Sequence, residues 1–449
     1  MKVALVHPEE KRDLVEWVEP SHFRTVFWYL GLAVLVTTLV IIVARNLAPP
    51  EKKIKRLDEV DCELGSDQFR RETSVLLRAP MVGGNTVELL NNGVEIFPAL
   101  IEAIEGAQET ICFETFIYWS GEVGMEMAEA FAKKAREGVE VRVLIDWLGS
   151  RIIGTDEENV MLDAGVELEI YRPLNWYHIS RVNNRTHRKI MVVDGKLGFT
   201  GGVGIADQWK GDAHSGDKDM EWRDFHCRIN GPVVTEIQAV FATNWIKAAG
   251  KPLHGERFFP KIESCGNVEM QCFHSSPTEG AEGVRLMFLY MIETAKETLD
   301  LSAAYFIPDR LMREALISAV KRGVKIRVIL PGENNDVRAV THASQQLWGD
   351  LLEVGVRIFR FRPSMYHCKA FTADRKVTSV GSANFDNRSF RLNDEMNVNI
   401  FDEDFAGKMT RIFEKDLEES SEVSLEEWRN RGIATKVRDW WYGFFRTQL

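Results

Sequence analysis

Two stretches decide how this chain is read: His187-Arg188-Lys189-Ile190-Met191-Val192-Val193-Asp194 and His367-Cys368-Lys369-Ala370-Phe371-Thr372-Ala373-Asp374. Both spell His-x-Lys-x-x-x-x-Asp, and each is followed by a small-residue pair, Gly201-Gly202 and Gly381-Ser382. One octet is a constraint that chance can meet; two in matching surroundings point to a duplicated unit. The repeat extends outward. Ala107–Glu114 matches Ala295–Ser302, Gly138–Ile145 matches Gly323–Leu330, and Gly165–Pro173 matches Gly355–Pro363. The register between copies contracts just before the octets, which places a short insert in the first copy near 175–184.

Within each copy, helical patterns alternate with β-branched runs. Met125–Glu137 has helical periodicity, Gly138 suits a C-cap, and Val139–Ile145 reads as a buried strand. Leu311–Arg322, Gly323 and Val324–Leu330 repeat the pattern. Helix followed by parallel-type strand, twice over, predicts an α/β fold: two tandem domains, each a mixed sheet flanked by helices, related by pseudo-twofold symmetry.

Upstream, Thr25–Ala44 carries no charged residue. At ~1.5 Å per residue it covers ~30 Å, one bilayer core, so a transmembrane helix is expected over 25–45. Trp28 and Tyr29 suit interfacial anchors. The expected organisation is an N-terminal segment (1–24), that helix, a linker (46–80), a first domain (81–255), a second (256–425) and an aromatic, basic tail (426–449). In the tail, Lys436, Arg438 and Arg446 stand among Trp440, Trp441, Tyr442, Phe444 and Phe445, a pattern that fits either lipid contact or packing on the enzyme. Arg45, Lys52, Lys53, Lys55 and Arg56 outnumber the basic residues of the leading flank and lean the catalytic part towards the cytoplasm. Six cysteines without paired or zinc-type spacing suit free thiols in a reducing compartment. The net charge of -11 argues against binding a nucleic-acid backbone, and no nucleic acid is expected.

Strand parity divides each octet. His187 and Lys189 share a face, as do His367 and Lys369, whereas Asp194 has the opposite parity and opens the turn signal Asp194-Gly195. The aspartates Asp194 and Asp374 therefore read as turn or domain-pairing residues. A His beside a Lys suits phosphate chemistry: the ammonium neutralises phosphoryl oxygens, and imidazole attacks phosphorus or moves protons. Each His needs an acceptor on its other ring nitrogen. Asp224 and Glu395 occupy equivalent places on following strands, so Asp224 is expected to support His187 and Glu395 to support His367. His178 and His226 are weaker candidates for touching substrate.

This doubled motif resembles the phospholipase D superfamily over about residues 83–415. The resemblance implies phospholipase D-like domains meeting at one site that takes in His187, Lys189, Asp194, His367, Lys369 and Asp374. It implies one phosphohistidine, with His187 as the nucleophile, and one acid that releases the leaving alcohol. It implies no metal and no organic cofactor. Thr200–Asp207, Glu221–Asp224, Tyr305–Pro308 and Gly381–Ser389 are similar to bacterial cardiolipin synthases. That likeness implies transfer of a phosphatidyl group to phosphatidylglycerol at a cell membrane, with phosphatidylethanolamine a second candidate substrate; many such enzymes carry two membrane segments, whereas here a single-pass anchor is expected from 25–45 alone. Gly202, Ser382 and Asn384 are implied substrate contacts. The first copy departs from the second in having Gly204 where Asn384 stands. Alternatives are a phospholipase D using water as acceptor, a nucleic-acid phosphodiesterase, and an inactive membrane scaffold, which would predict a damaged octet.

Overall fold

The computed structural model describes residues 20–47, 54–55, 60–174, 183–213, 221–277 and 281–448. They belong to two compact units, 1–48 and 49–449. The first unit is one α-helix, Pro20–Leu47. Its window Arg24–Ile41 has a mean hydropathy of 1.8, and these side chains are exposed. It is the one helix among the described residues long and apolar enough to cross a membrane.

The second unit is built on a continuous mixed sheet. Its centre is an antiparallel pair, Val82–Asn91 and Val268–Ser276, the first strand of each repeat. Outward from Val82–Asn91 lie Phe225–Asn230, Leu197–Gly201, Ile190–Val193, Thr110–Thr115, Glu140–Asp146 and Glu167–Tyr171. Outward from Val268–Ser276 lie Glu395–Phe401, Val377–Gly381, Lys369–Ala373, Thr298–Ala303, Lys325–Pro331 and Arg357–Phe361. The order matches strand for strand. Over these strands the four inner pairings of each half are antiparallel and the next two parallel; the second half then adds one more edge strand, Ser420–Glu422, antiparallel to Arg357–Phe361. Self-pairing of equivalent strands at the centre is what a pseudo-twofold axis requires.

Helices cover both faces. Glu122–Arg136 and Arg310–Lys321 occupy equivalent places, and each leads into its parallel strand through a left-handed glycine, Gly138 (φ 96°) and Gly323 (φ 100°). One hydrophobic core belongs to each half, around Phe113, Phe131 and Val143 in the first and Phe288, Leu301 and Phe371 in the second. A third spans both, joining Ile190, Phe225 and Trp245 to Met270, Val398 and Phe413. The halves are therefore locked together by shared apolar burial as well as by backbone pairing. Within the expected linker, Ser66 caps a helix, Asp67–Leu77, by accepting from Phe69 N at 3.2 Å. Its buried Phe69 packs against Tyr290 and Phe401 of the second half. Residues 175–182, which hold most of the expected insert and His178, lie outside the described residues.

Candidate active site

Both octets enter the sheet the same way. His187 and His367 stand just before the strands Ile190–Val193 and Lys369–Ala373, beside the central seam. Neither ladder continues through the histidines. Each instead borrows a backbone partner from the other half. His187 N donates to Asp394 O at 2.9 Å, and His367 N donates to Arg223 O at 2.8 Å. Short parallel bridges, Thr186 with Asp394 and Arg223 with Tyr366, fix this register. Asp394 and Arg223 directly precede Glu395 and Asp224, so each histidine lies beside the other half's carboxylate.

The expected pairing is thereby reversed. Glu395 supports His187, its Oε1 and Oε2 lying 3.0 and 3.1 Å from Nδ1. Asp224 supports His367, with Oδ2 2.7 Å from Nδ1. Sequence alignment identifies equivalent acids within each repeat, but cross-half backbone bridges decide which imidazole each one meets.

The two supports are assembled differently. Glu395 also accepts hydrogen bonds from the hydroxyls of Ser382 and Ser389. Asp224 accepts from the Trp209 indole at 3.1 Å and from Phe225 N at 2.8 Å. Gly202 occupies the place of Ser382, and a Cβ there would come within 2.2 Å of Asp224 Oδ1. The hydroxyl of Ser382 thus holds the carboxylate, and Gly202 makes room for one. Asn384 N donates to Ser389 Oγ at 3.0 Å, while Gly204 packs where a Cβ would meet Ile117 Cβ at 2.8 Å. Phe116 flanks His187, and Trp209 and Trp222 flank His367. The sequence reading does not reach Trp209, and it takes in Trp222 and Ser389 only as parts of Glu221–Asp224 and Gly381–Ser389, without a task for either. The bare Gly202 opposite Ser382 was a usable signal that the first half needs another donor.

Lys189 Nζ donates to His187 O at 2.9 Å, and Lys369 Nζ to His367 O at 2.6 Å. Lys369 Nζ also lies 3.0 and 3.1 Å from the two nitrogens of the His367 ring. All four side chains are buried. Burial, aided by the neighbouring ammoniums, pushes His187 down to about 4 and His367 to about 3. Burial and the charge of Lys369 bring Lys189 down to about 7, and burial lowers Lys369 too. For Asp224 and Glu395 burial is the largest influence and works upward, but the facing histidine, the nearby lysine and the local hydrogen bonds together outweigh it, and both sit below their usual range. The resting cluster therefore holds ionised carboxylates against neutral imidazoles. Each Nδ1–H donates to its acid, and each Nε2 keeps a lone pair. Two crowded, partly desolvated ammoniums make the site receptive to an anion.

Asp194 and Asp374 do not touch the histidines. Both have positive φ, 52° and 50°, at the far end of their strands. Asp194 accepts from the amides of Gln108, Glu109 and Thr110, and Asp374 from those of Lys296, Glu297 and Thr298. They are turn residues, as parity predicts, and they brace a neighbouring strand of their own half. His226 is buried in strand Phe225–Asn230, which Asp224 directly precedes.

Comparison with known proteins agrees with this geometry. The family model described as "Cardiolipin synthase, PLD-like domain" matches residues 100–220 and 288–417. Cardiolipin synthase A of Pseudomonas putida is 36% identical over 353 residues, covering 78% of this chain and 72% of that protein. Cardiolipin synthase A of Pseudomonas syringae pv. syringae is 35% identical over 369 residues, covering 80% and 75%. Among solved structures, phosphatidylserine synthase of Haemophilus influenzae superposes with a TM-score of 0.64 at 14% identity, over 85% of this chain and all of that one. Polyphosphate kinase of Porphyromonas gingivalis gives 0.52 at 12%, over 84% and 54%. At such identities these two speak for the fold alone. By its duplicated octets, its crossed histidine–carboxylate pairs and these relatives, the chain belongs to the cardiolipin synthase family of phospholipase D-like proteins.

Proposed function

We propose that this phosphatidyltransferase of the phospholipase D superfamily moves a phosphatidyl group onto phosphatidylglycerol to make cardiolipin. The observation that carries the reading is the pair of buried imidazoles, each within hydrogen-bond distance of a carboxylate of the other half and set among two lysines. His187 Nε2 attacks phosphorus, and the bond from phosphorus to the glycerol oxygen breaks. His367 gives that oxygen a proton, so glycerol leaves and the phosphatidyl group stays on His187. A hydroxyl of a second phosphatidylglycerol then returns a proton to His367 and attacks phosphorus. The phosphorus–nitrogen bond breaks, releasing cardiolipin and restoring the enzyme.

Lys189 and Lys369 hold the phosphoryl oxygens. The incoming phosphodiester charge offsets their repulsion and raises the proton affinity of His367, which takes up a solvent proton on Nε2 as substrate binds, gives it up again once product leaves, and is an acid only in between. Glu395 and Asp224 fix the tautomers, and Ser382 and Asn384 shape the phosphate pocket on the second-half side. Helix Pro20–Leu47 anchors the enzyme as a single membrane span with its catalytic part in the cytoplasm.

Purified full-length protein in mixed micelles with phosphatidylglycerol labelled in the headgroup glycerol tests the reading. Cardiolipin and labelled glycerol are expected in equal amounts. Phosphatidic acid as the main product would assign the chain to hydrolysis instead. Acid-labile, base-stable label from acyl-labelled donor, absent in His187→Ala, is expected on the trapped enzyme.

A further inference from the structure

The C-terminal helix Ile433–Gly443 is packed with its faces exchanged. Its buried stripe is polar or small: Asp439 is 1% exposed, Gly443 is buried, and Thr435 and Tyr442 are half-buried. Asp439 accepts from His342 Nδ1 at 2.8 Å and pairs with Arg431 at 3.2 Å. Tyr442 stacks on His342, and Gly443 lets the helix close onto Gln346, where a Cβ would come within 1.9 Å. The apolar residues face outward instead. Ile433 is 82% exposed, Val437 58%, Trp440 55%, Trp441 57% and Phe444 61%. Soluble helices bury such a stripe. Here the polar side is used for docking and the aromatic side is left open.

At 3.6 residues per turn these five residues fall within an arc of about 120°. Lys436 and Arg438, both exposed, fall on its two flanks. The one acid between 433 and 448 is the buried Asp439, so this surface is cationic in a protein of net charge -11. The segment is also tied to the candidate site. Thr447 O and Gln448 O accept from Asn387 Nδ2 and Arg388 Nη1 of helix Asn387–Arg391. That helix contains Ser389, which holds Glu395.

From this geometry we infer that the 433–445 surface is a second membrane contact, one that seats its aromatic stripe in the headgroup layer of an anionic bilayer. Tryptophans and phenylalanines enter the interface, Arg438 reaches lipid phosphates on one side, and on the other the exposed Lys436 ammonium, which donates to Arg429 O at 2.6 Å, has two further donors for them. A protein partner would not call for basic residues on both flanks with no exposed acid, whereas an anionic lipid surface does. The contact places the helix bearing Ser389, and hence the support of His187, next to lipid headgroups. It is independent of helix Pro20–Leu47.

The test uses the full chain with Cys62→Ser and Cys265→Ser, an environment-sensitive fluorophore at Val437→Cys, and reconstitution in vesicles. In vesicles with one third phosphatidylglycerol, brominated acyl chains are expected to quench the probe several-fold more than in pure phosphatidylcholine, and aqueous iodide less. A probe open to iodide and untouched by bromolipid in the anionic vesicles would overturn the inference. So would a blue shift that needs no lipid and grows with protein concentration, which would assign the stripe to self-association. A second arm compares Trp440→Ser/Trp441→Ser/Phe444→Ser with the parent enzyme. Activity on vesicles is expected to fall five- to tenfold while activity on short-chain, monomeric phosphatidylglycerol is kept; equal loss on both would count against the membrane contact. The activity arm rests on the proposed reaction. A parent enzyme that makes no cardiolipin would sink that reaction and leave the fluorescence result standing.

Discussion

The two halves of the sheet share one strand order outward from the centre, apart from the extra edge strand Ser420–Glu422 of the second, yet they prepare their catalytic partners by different means. The second half offers a glutamate held by two hydroxyls, from Ser382 and Ser389. The first offers an aspartate, one methylene shorter, held by an indole and a backbone amide, with Gly202 leaving the space that its carboxylate fills. The outcome is similar in both places: a buried, ionised acid on Nδ1 of the opposite imidazole. What a duplicated fold conserves here is the geometry of the seam, and the chemistry that fills it has been solved twice. Unequal surroundings also allow the histidines to divide their labour, since groups of unlike environment separate in proton affinity.

The largest expected effect breaks the comparison at its centre. His187→Ala and His367→Ala should each lower cardiolipin formation by about 10³-fold or more, as is usual for groups that act as a unit. They should differ in one respect: with a donor whose leaving group needs no proton, His367→Ala still accumulates phosphoenzyme, and His187→Ala does not. Near-normal turnover in either variant would refute the two-histidine scheme.

Next come the supports. Asp224→Asn and Glu395→Gln keep the shape and remove the charge that fixes each tautomer, so kcat should fall by about 10²–10⁴-fold in both. A drop confined to one of them, measured on the same lipid, would show that one half alone carries the chemistry.

Exchanging the small residues sharpens the contrast further. Gly202→Ser forces a side chain into Asp224 and should cost about 1–3 kcal/mol of stability. Ser382→Gly removes a single hydroxyl donor and should cost about 1 kcal/mol. Thermal or urea unfolding checks the ranking, and equal costs would contradict the crowding at Gly202.

Stability should also depend on pH through the imidazoles. Both sit below their ordinary 6.5, at about 4 and about 3, so each takes up a proton more readily when unfolded. Their contribution is complete above 6.5 and is lost as the pH falls towards 3. Melting temperature should decline over that range, and less steeply in the His187→Ala/His367→Ala double variant; parallel curves would count against neutral burial.

The smallest effect is expected where the halves agree. Asp194→Asn and Asp374→Asn each weaken a cluster of amide contacts and should cost about 1–2 kcal/mol with turnover per folded molecule kept. Lost chemistry at unchanged stability would return these aspartates to the catalytic group.

Much of this was readable beforehand. Repeats such as Gly138–Ile145 against Gly323–Leu330 carry local signals, a left-handed glycine followed by a β-branched run, and local signals survive in one dimension. Parity marks Asp194 and Asp374 as turn or domain-pairing residues, and both stand in turns within their own half. The exchange of acids was not readable, because it depends on bridges between Thr186 and Asp394 and between Arg223 and Tyr366, contacts without periodicity or composition. Trp209 escaped for a similar reason: an indole that stands in for a hydroxyl leaves no motif. The tail shows a further limit. Its aromatic and basic residues suggested either lipid contact or packing, and the structure has the helix packed through its polar side with the aromatics open.

The crossed supports have a consequence in time. A ribosome that has finished the first half has made His187, Lys189 and all of their own sheet, but not the acid that orients the imidazole. That acid is residue 395. On the proposed scheme a nascent chain with a folded first half lacks both this acid and His367 until synthesis has passed them and the second half has folded against the seam, so a chain cut between the halves is expected to make no cardiolipin.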